Sequence, residues 1–591
     1  MTTPPREWLP HERPMMPGSP STPLHSPPLR VAYLLIGILV SLTGGLGNAL
    51  VSANLLNLQG ALGVYAAEAA WLPVVYVMTN VSMNLLLVKF RQQFGMRLFT
   101  EIFLGLYALI AFAHLFVNDL NSAIAVRAAH GMSGAALSSL GLYYILQAFP
   151  AKHRMKGLVL ALGITQIATP LAYIMPTTLL EVAEWRGLYM FEFGLALTAM
   201  GCVLWLKLPP GDRFNTFEKL DFLTFALFAP GMALLVAAIG LGRTVWWLEA
   251  PWVGMAIVGG IVLLTTAFII EHYRKNPLLN TRWLSSAAML RFFLVMMLVR
   301  IVLSEQGIGV VAFMQTLGMG SDQLRIVFVY VLLGTLAGTV VCALIVTPQR
   351  VDAIIALALV CMIAGALMDA DSTNLKRPAD MLLSQFLLAF GGGMFLAPAM
   401  IANLGSIISQ PKNLVGFVVL FGISQNLGGL IGSAAVGTFQ IVREKFHSNV
   451  LTEQMTLLDP DVVARIQAGA GAFGRVMTDP ALRNARGSAS LSTAITREAN
   501  VLAYNEVFML VAAVAALTLL FVVGHALRTK LRASAPAAPA PAATVTPVMP
   551  NTPNTPNTST TATANTSVSP TSSTSPTANS RIDTTPLSDT V

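Results

Sequence analysis

A chain of 591 residues that is 55% hydrophobic and only 11% charged falls far below the roughly 25% charge of soluble proteins, so it reads as an integral membrane protein. Its net charge of +8 is spread over short loops between apolar runs and does not point to nucleic acid. Cys202, Cys342 and Cys361 all lie inside apolar runs, which excludes a disulfide framework and a thiolate metal site.

Residues 1–29 carry nine prolines, among them Pro27 and Pro28, and predict a flexible arm rather than a helix. Fourteen apolar runs follow, over residues 30–52, 68–88, 98–117, 123–147, 157–177, 187–208, 221–241, 252–271, 289–310, 324–347, 351–369, 381–407, 414–440 and 504–526. Each is long enough to cross about 30 Å of hydrocarbon. Alternate connections hold most of the Lys and Arg, such as Lys89, Arg91 and Arg97, or Lys152, Arg154 and Lys156. The short connections on the other side hold Arg186, Arg243, Lys376 and Arg377. The positive-inside rule then places both termini in the cytoplasm, in agreement with an even number of spans.

In the fourth run the single charge is Arg127, and from it Gly131, Gly134, Ser138 and Gly141 follow at helical spacing. Small residues admit a neighbouring helix backbone, and an arginine inside the bilayer costs about 2.5 to 3.5 kcal/mol unless protein or water receives it. This face is therefore expected to pack against other spans. An arginine near a span's end can also snorkel to the interface, which is the structural alternative for Arg127.

An internal repeat follows. Gly157 and then Gly163-Ile164-Thr165-Gln166 in the fifth run match Gly416 and then Gly422-Ile423-Ser424-Gln425 in the thirteenth. The eight-span offset pairs spans one to six with nine to fourteen and leaves two extra spans in the centre. The expected architecture is an all-α membrane protein of 14 transmembrane helices: residues 30–208 as one six-helix bundle, 209–288 as linker and two central helices, and 289–528 as the second bundle with a long outer loop at 443–503. The Ala, Pro, Thr, Asn and Ser of residues 529–591 predict a disordered cytoplasmic tail.

Arg127, His130, Gly131 and Gly134 resemble the fourth-span signature of the major facilitator superfamily, with His130 in place of the usual Gln. Gly95 and Arg97 resemble its loop signature between spans two and three. The two central spans, Asp221, Glu271 followed by Asn276-Pro277-Leu278-Leu279, Gln315 with Gly318, Ser424 to Gly429, Arg443 to Asn449 and Ala503 to Phe508 resemble the family's fourteen-span drug:proton antiporters. The first-span acid of that family falls at Gly47, beside Asn48, and its fifth-span signature is reduced to Thr169-Pro170 with Pro176 beyond.

The resemblance implies a secondary transporter, in which two bundles alternate around a midplane site. Candidates for a substrate or proton pathway are Arg127, His130, Gln166, Glu192, Arg300, Glu305, Gln315, Gln385, Gln425 and Asn426. Packing or conformational roles fall to Gly95, Arg97, Gly131, Gly134, Pro170, Gly428 and Gly432. Arg300 and Glu305 are five apart, about 140° around a helix, and do not form a same-face pair. No metal, cofactor or enzymatic motif is present. Proton-coupled efflux of drug-like compounds across the inner membrane is the expected function. The alternatives are a carrier for an anionic metabolite using Arg127 or Arg300, and a non-transporting scaffold or sensor. Expected partners are lipid, a small-molecule substrate and protons; some relatives also work with a periplasmic adaptor and an outer-membrane channel.

Overall fold

The computed structural model describes residues 12, 14, 18–175 and 186–534, and within them all regular structure is helical. Pro176, most of the proline-rich arm and the tail from residue 535 lie outside the described residues.

The long helices are α1 (Pro27–Ala53), α2 (Trp71–Phe94), α3 (Met96–Ala113), α4 (Leu120–Gln147), a broken α5 (Arg154–Thr165 and Ala168–Ile174) and α6 (Arg186–Trp205). The central pair is α7 (Lys219–Val245) and α8 (Pro251–Tyr273). Then come α9 (Ala287–Leu303, prolonged to Thr316), α10 (Ser321–Ile345), α11 (Val351–Asp369), α12 (Leu382–Ser409), α13 (Leu414–Gln454) and α14 (Pro480–Ser534).

Among the described residues, thirteen helical stretches are long and apolar enough to cross a membrane. The long helix not in that set is α4, whose 28 residues suffice in length but include Arg127, His130, three glycines and four serines.

Local sequence explains the breaks. Pro27 and Pro28, expected to exclude a helix, instead open α1, because the first helical turn has no use for their missing N–H. Residues ahead of them are held in place: the backbone N–H of Ser21 donates to Pro210 O at 3.0 Å, and Gln147 Nε2 donates to Ser21 O at 2.9 Å. In α5, Pro170 has no N–H to offer the carbonyl of Gln166, and the helix divides between Thr165 and Ala168. Gly95 joins α2 to α3 at φ +83°, a conformation that other residues rarely adopt. Residues 443–503, expected as a loop, are helical for most of their length, as the ends of α13 and α14 and a short helix at Pro460–Ala472. Residues 529–534, assigned by sequence to the tail, still belong to α14.

Helix contacts repeat with the eight-helix offset. In the first half α4 packs on α1 and α2, and in the second α12 packs on α10, with a smaller contact to α9. Across the halves α5 packs on α10 and α2 on α13, which is one contact with the halves exchanged. The repeat glycines obey the same rule: Gly163 of α5 abuts Thr339 of α10, and Gly422 of α13 abuts Asn84 of α2. A 3-10 turn precedes each helix, at Ala151–His153 and Pro411–Asn413. The largest buried apolar cluster joins the halves to α7, through residues such as Val74, Val81, Phe228, Val299, Met362 and Val436.

Candidate functional site

Arg127 is fully buried and faces protein, not lipid, which removes the snorkelling alternative. Its guanidinium donates from Nη1 to Gly47 O at 2.8 Å, from Nη2 to Asn48 Oδ1 at 2.7 Å and from Nε to Leu72 O at 3.4 Å, and it lies over the Tyr76 ring at 4.7 Å. The packing of α4 against α1 and α2 thus supplies the acceptors that the bilayer lacks. Gly131 and Gly134 press on Tyr76 and Thr79 of α2, and Gly141 presses on Ser41 of α1. The expected single stripe therefore serves two neighbours, and Ser138 stands outside it, exposed.

Around this arginine the first half gathers a buried ionisable cluster. Nη1 of Arg127 lies 3.1 Å from His130 Nδ1. Arginine can only donate, so Nδ1 accepts and the imidazole proton sits on Nε2. His130 Nε2 is 2.9 Å from Glu192 Oε1, close but off the line of a straight hydrogen bond, so the contact is mainly electrostatic. The same oxygen is 2.6 Å from the Tyr107 hydroxyl, which also lies 2.8 Å from Thr43 O of α1. His114, stacked on Tyr189 at 4.2 Å, closes the group against His130 at 5.0 Å. Glu192, placed by sequence less than two turns from the boundary, is 1% exposed. Gly47 completes the packing: a Cβ there would fall 2.6 Å from Glu192 Oε1 and 2.9 Å from His130 Cε1, and would overlap the Tyr107 hydroxyl. The space in which an acid on α1 would project is filled by the carboxylate of α6.

The other candidates separate. In the second half Gln385 of α12 donates from Nε2 to Glu305 Oε1 at 3.2 Å and to Asp369 Oδ2 at 3.0 Å. Glu305 opens a widened π turn, Glu305–Val311, that prolongs α9. Arg300 points elsewhere, with Nε donating to Gln425 O at 3.2 Å, and it lies against Gly428 and Gly429 of α13. The five-residue spacing separates Arg300 and Glu305 as expected. Gln166, at the α5 break, reaches across the halves with its side chain and donates from Nε2 to Gly392 O of α12 at 3.2 Å. Asn426 bonds back to Gly422 O, and Gln315 is exposed near the end of the α9 prolongation, so neither joins a cluster. Pro170 is buried, Arg97 holds Leu208 O at 3.2 Å, and Gly432 admits Ile301 and Ser304 of α9.

A further ion network ties the central pair to the first half. Asp221 receives Lys89 at 2.6 Å and Arg274 at 2.7 Å, and Arg274 also reaches Glu271 and Glu218. Glu271, fully buried, accepts Thr224 and the backbone N–H groups of Leu278 and Leu279, which accounts for the Glu271 to Leu279 motif. The bond from Arg274, with one from Asn276, holds the Glu218 carboxyl below its usual pKa. Burial works against the Arg274 charge, but its three carboxylate partners outweigh it and raise its pKa.

Sequence reasoning passed over Tyr107, His114 and Asp369. Tyr107 and His114 stand seven residues apart, which is one helical face and was the available signal. Asp369 ends an apolar run and carried none. Among the described residues, no group of three or more His, Cys, Asp or Glu is arranged to hold a metal ion.

The Major Facilitator Superfamily description matches residues 35–433. Curated relatives include MdtD of Cronobacter sakazakii, named for multidrug resistance, 25% identical over 250 residues that cover 41% of this chain and 51% of that protein. Another is the major facilitator superfamily multidrug transporter mfsC of Aspergillus fumigatus, 23% identical over 38% of this chain and 43% of that protein. The chain thus spans about half the length of the curated relatives it matches. Among solved structures, the proton:xylose symporter XylE bound to 6-bromo-6-deoxy-D-glucose matches at a TM-score of 0.48 and 14% identity, over 83% of this chain and 95% of that one. The match over most of its apolar sequence settles the family: this multi-pass membrane protein belongs to the Major Facilitator Superfamily.

Proposed function

We propose that the chain is a proton-coupled exporter of drug-like or amphipathic compounds, in which two six-helix halves rock about a central site and α4 is the fourteenth span. The basic face is cytoplasmic and holds both termini. The observation that carries the coupling is the buried group of Arg127, His130, Glu192 and Tyr107. The names of the curated relatives support the substrate class.

Glu192 is the proton carrier in this reading. The bond from Arg127 keeps a second proton off His130 Nδ1, so a proton entering the group is received by the carboxylate. Tyr107 has one hydroxyl hydrogen and two acceptors, Glu192 Oε1 and Thr43 O. While Glu192 is ionised the hydroxyl donates to it; once Glu192 is protonated, the carboxylic acid donates to the Tyr107 oxygen and the hydroxyl turns to Thr43 O. Loading on α6 thereby changes a bond to the backbone of α1, the kind of local switch that biases two packings of a bundle. Gln166, which already bridges α5 and α12, moves with any change in how the halves meet.

In liposomes containing the purified protein and a pH-sensitive dye, a fluorescent cationic drug should exchange for protons, and Glu192→Gln should abolish proton movement while leaving drug binding measurable. Drug transport that continues at full rate in Glu192→Gln, or that ignores the pH gradient, refutes the coupling.

A second reading, a carrier for an anionic metabolite, now rests on Arg300 alone. Arg127 is taken up by Gly47, Asn48, Leu72 and His130, whereas the bond found for Arg300 is a single one to a backbone carbonyl. Arg300→Gln that removes anion transport and spares cations would favour it. Nothing in the geometry favours a scaffold or sensor, and adaptor or outer-membrane partners have no particular residue in their support.

A further inference from the structure

The coupling described above uses the first half only, yet the second half buries titratable groups of its own. Glu305 and Asp369 are both fully buried, and one amide nitrogen, Gln385 Nε2, serves both. The two carboxylates are therefore no more than about 6 Å apart, a separation at which two negative charges in a low-dielectric interior repel strongly. The charged groups that act on Glu305 reduce to Asp369, and those that act on Asp369 include one cation, Lys376, with Nζ 3.4 Å from Oδ1. The neighbouring Phe508 and Gly309 bring no charge. This differs from the first half, where a buried arginine balances the carboxylate.

The hydrogen-bond inventory gives a second, independent indication. Gln385 Oε1 has no hydrogen-bond partner although its residue is fully buried. The amide has two hydrogens to give, and around it are the Glu305 oxygens, Asp369 Oδ2 and its own idle oxygen, all of them acceptors. Hydrogen is short at the Glu305 end, since Ser384 and Lys376 bring theirs to Asp369. A proton on either carboxyl supplies it: a small rotation of the amide lets Oε1 accept the new O–H while Nε2 goes on donating to the carboxylate that stays ionised. No other step is needed, since the proton comes from water and returns to it.

Position provides the route. Asp369 is the last residue of α11, and Lys376 belongs to the connection that leads to α12, so this arm of the group ends at the face opposite the basic one. Glu305 is the inner end, at the start of the π turn. We propose that Glu305, Gln385 and Asp369 form a second proton-binding site, in the second half and separate from Glu192, loaded from the face that carries Lys376.

The proposal is independent of the drug reading, because its test needs neither substrate nor transport. Infrared difference spectra of the purified full chain, recorded between alkaline and neutral pH, should show the C=O stretch of a buried carboxylic acid. That band should vanish in Glu305→Gln, persist in Glu192→Gln, and titrate at a different pH in Asp369→Asn, which removes the neighbouring charge while keeping shape. A Glu305→Gln spectrum identical to wild type overturns the proposal. If Glu305→Gln does not fold, the Asp369→Asn titration decides alone, and an unmoved titration counts against the site.

Discussion

Replacing Gly47 by alanine tests the packing of the first cluster most directly. The added methyl would overlap the Tyr107 hydroxyl and lie 2.6 Å from Glu192 Oε1 and 2.9 Å from His130 Cε1. Those three side chains belong to three different helices and are all buried, so none can yield without disturbing a partner. Overpacking of this kind costs about 1 to 3 kcal/mol. Displacing Tyr107 also leaves a buried carboxylate short of a donor, which adds about 1 to 3 kcal/mol. We expect Gly47→Ala to lower unfolding free energy by about 2 to 6 kcal/mol, read from titration of detergent-solubilised protein with a denaturing surfactant. Gly105→Ala is the control: it is also in a helix, but nothing lies within 4 Å of the added methyl, so it should lose nothing and gain about 0.5 to 1 kcal/mol from alanine's helix propensity. Equal stability of the two variants would mean that Tyr107, Glu192 and His130 do not converge on α1, and the coupling scheme built on their contact would fall with it.

Arg127→Lys keeps the charge but cannot span four acceptors on three helices; it should lose about 3 kcal/mol or more in the same titration, whereas Arg300→Lys, with one backbone partner to satisfy, should lose under about 1.5 kcal/mol. Because Arg274 depresses the Glu218 pKa, the stability that this pair contributes is full above the unfolded carboxyl's pKa and is lost as pH falls through the lower folded value. The stability gap between wild type and Glu218→Gln should therefore be largest near neutrality and shrink as pH falls below about 4, and it should be small throughout because solvent screens the exposed Glu218.

Much of the fold could be read from the chain because bilayer constraints are local. A run of apolar residues declares a span by itself, and a lone Arg127 on a face of small residues announces a helix that must be surrounded by protein. The repeat around Gly163 and Gly422 was legible for a related reason, since equivalent helices need the same lack of bulk where they cross between halves. What escaped depends on which helices become neighbours. Glu192 looked close to water because depth was counted along α6, whereas its burial is set by Tyr107 and His130 on other helices. Asp369 resembled an ordinary polar helix end, and only its meeting with Gln385 gives it meaning. Pro27 and Pro28 misled in the opposite direction: their effect depends on whether they fall inside a helix or at its first turn, and composition alone does not distinguish these.

The overlong pair α13 and α14 carries a mechanical consequence. At 1.5 Å per residue the 41 residues of α13 extend about 60 Å, twice the hydrocarbon thickness. At the end of the apolar stretch the two rods are clasped by Arg443 and His447 on Glu506 and by Gln440 on Asn500. Such a stiff mast turns with the half of the molecule in which it is rooted. Under the proposed rocking, a tilt of about 10° at the midplane would sweep a tip about 30 Å away through about 5 Å, the width of a helix backbone.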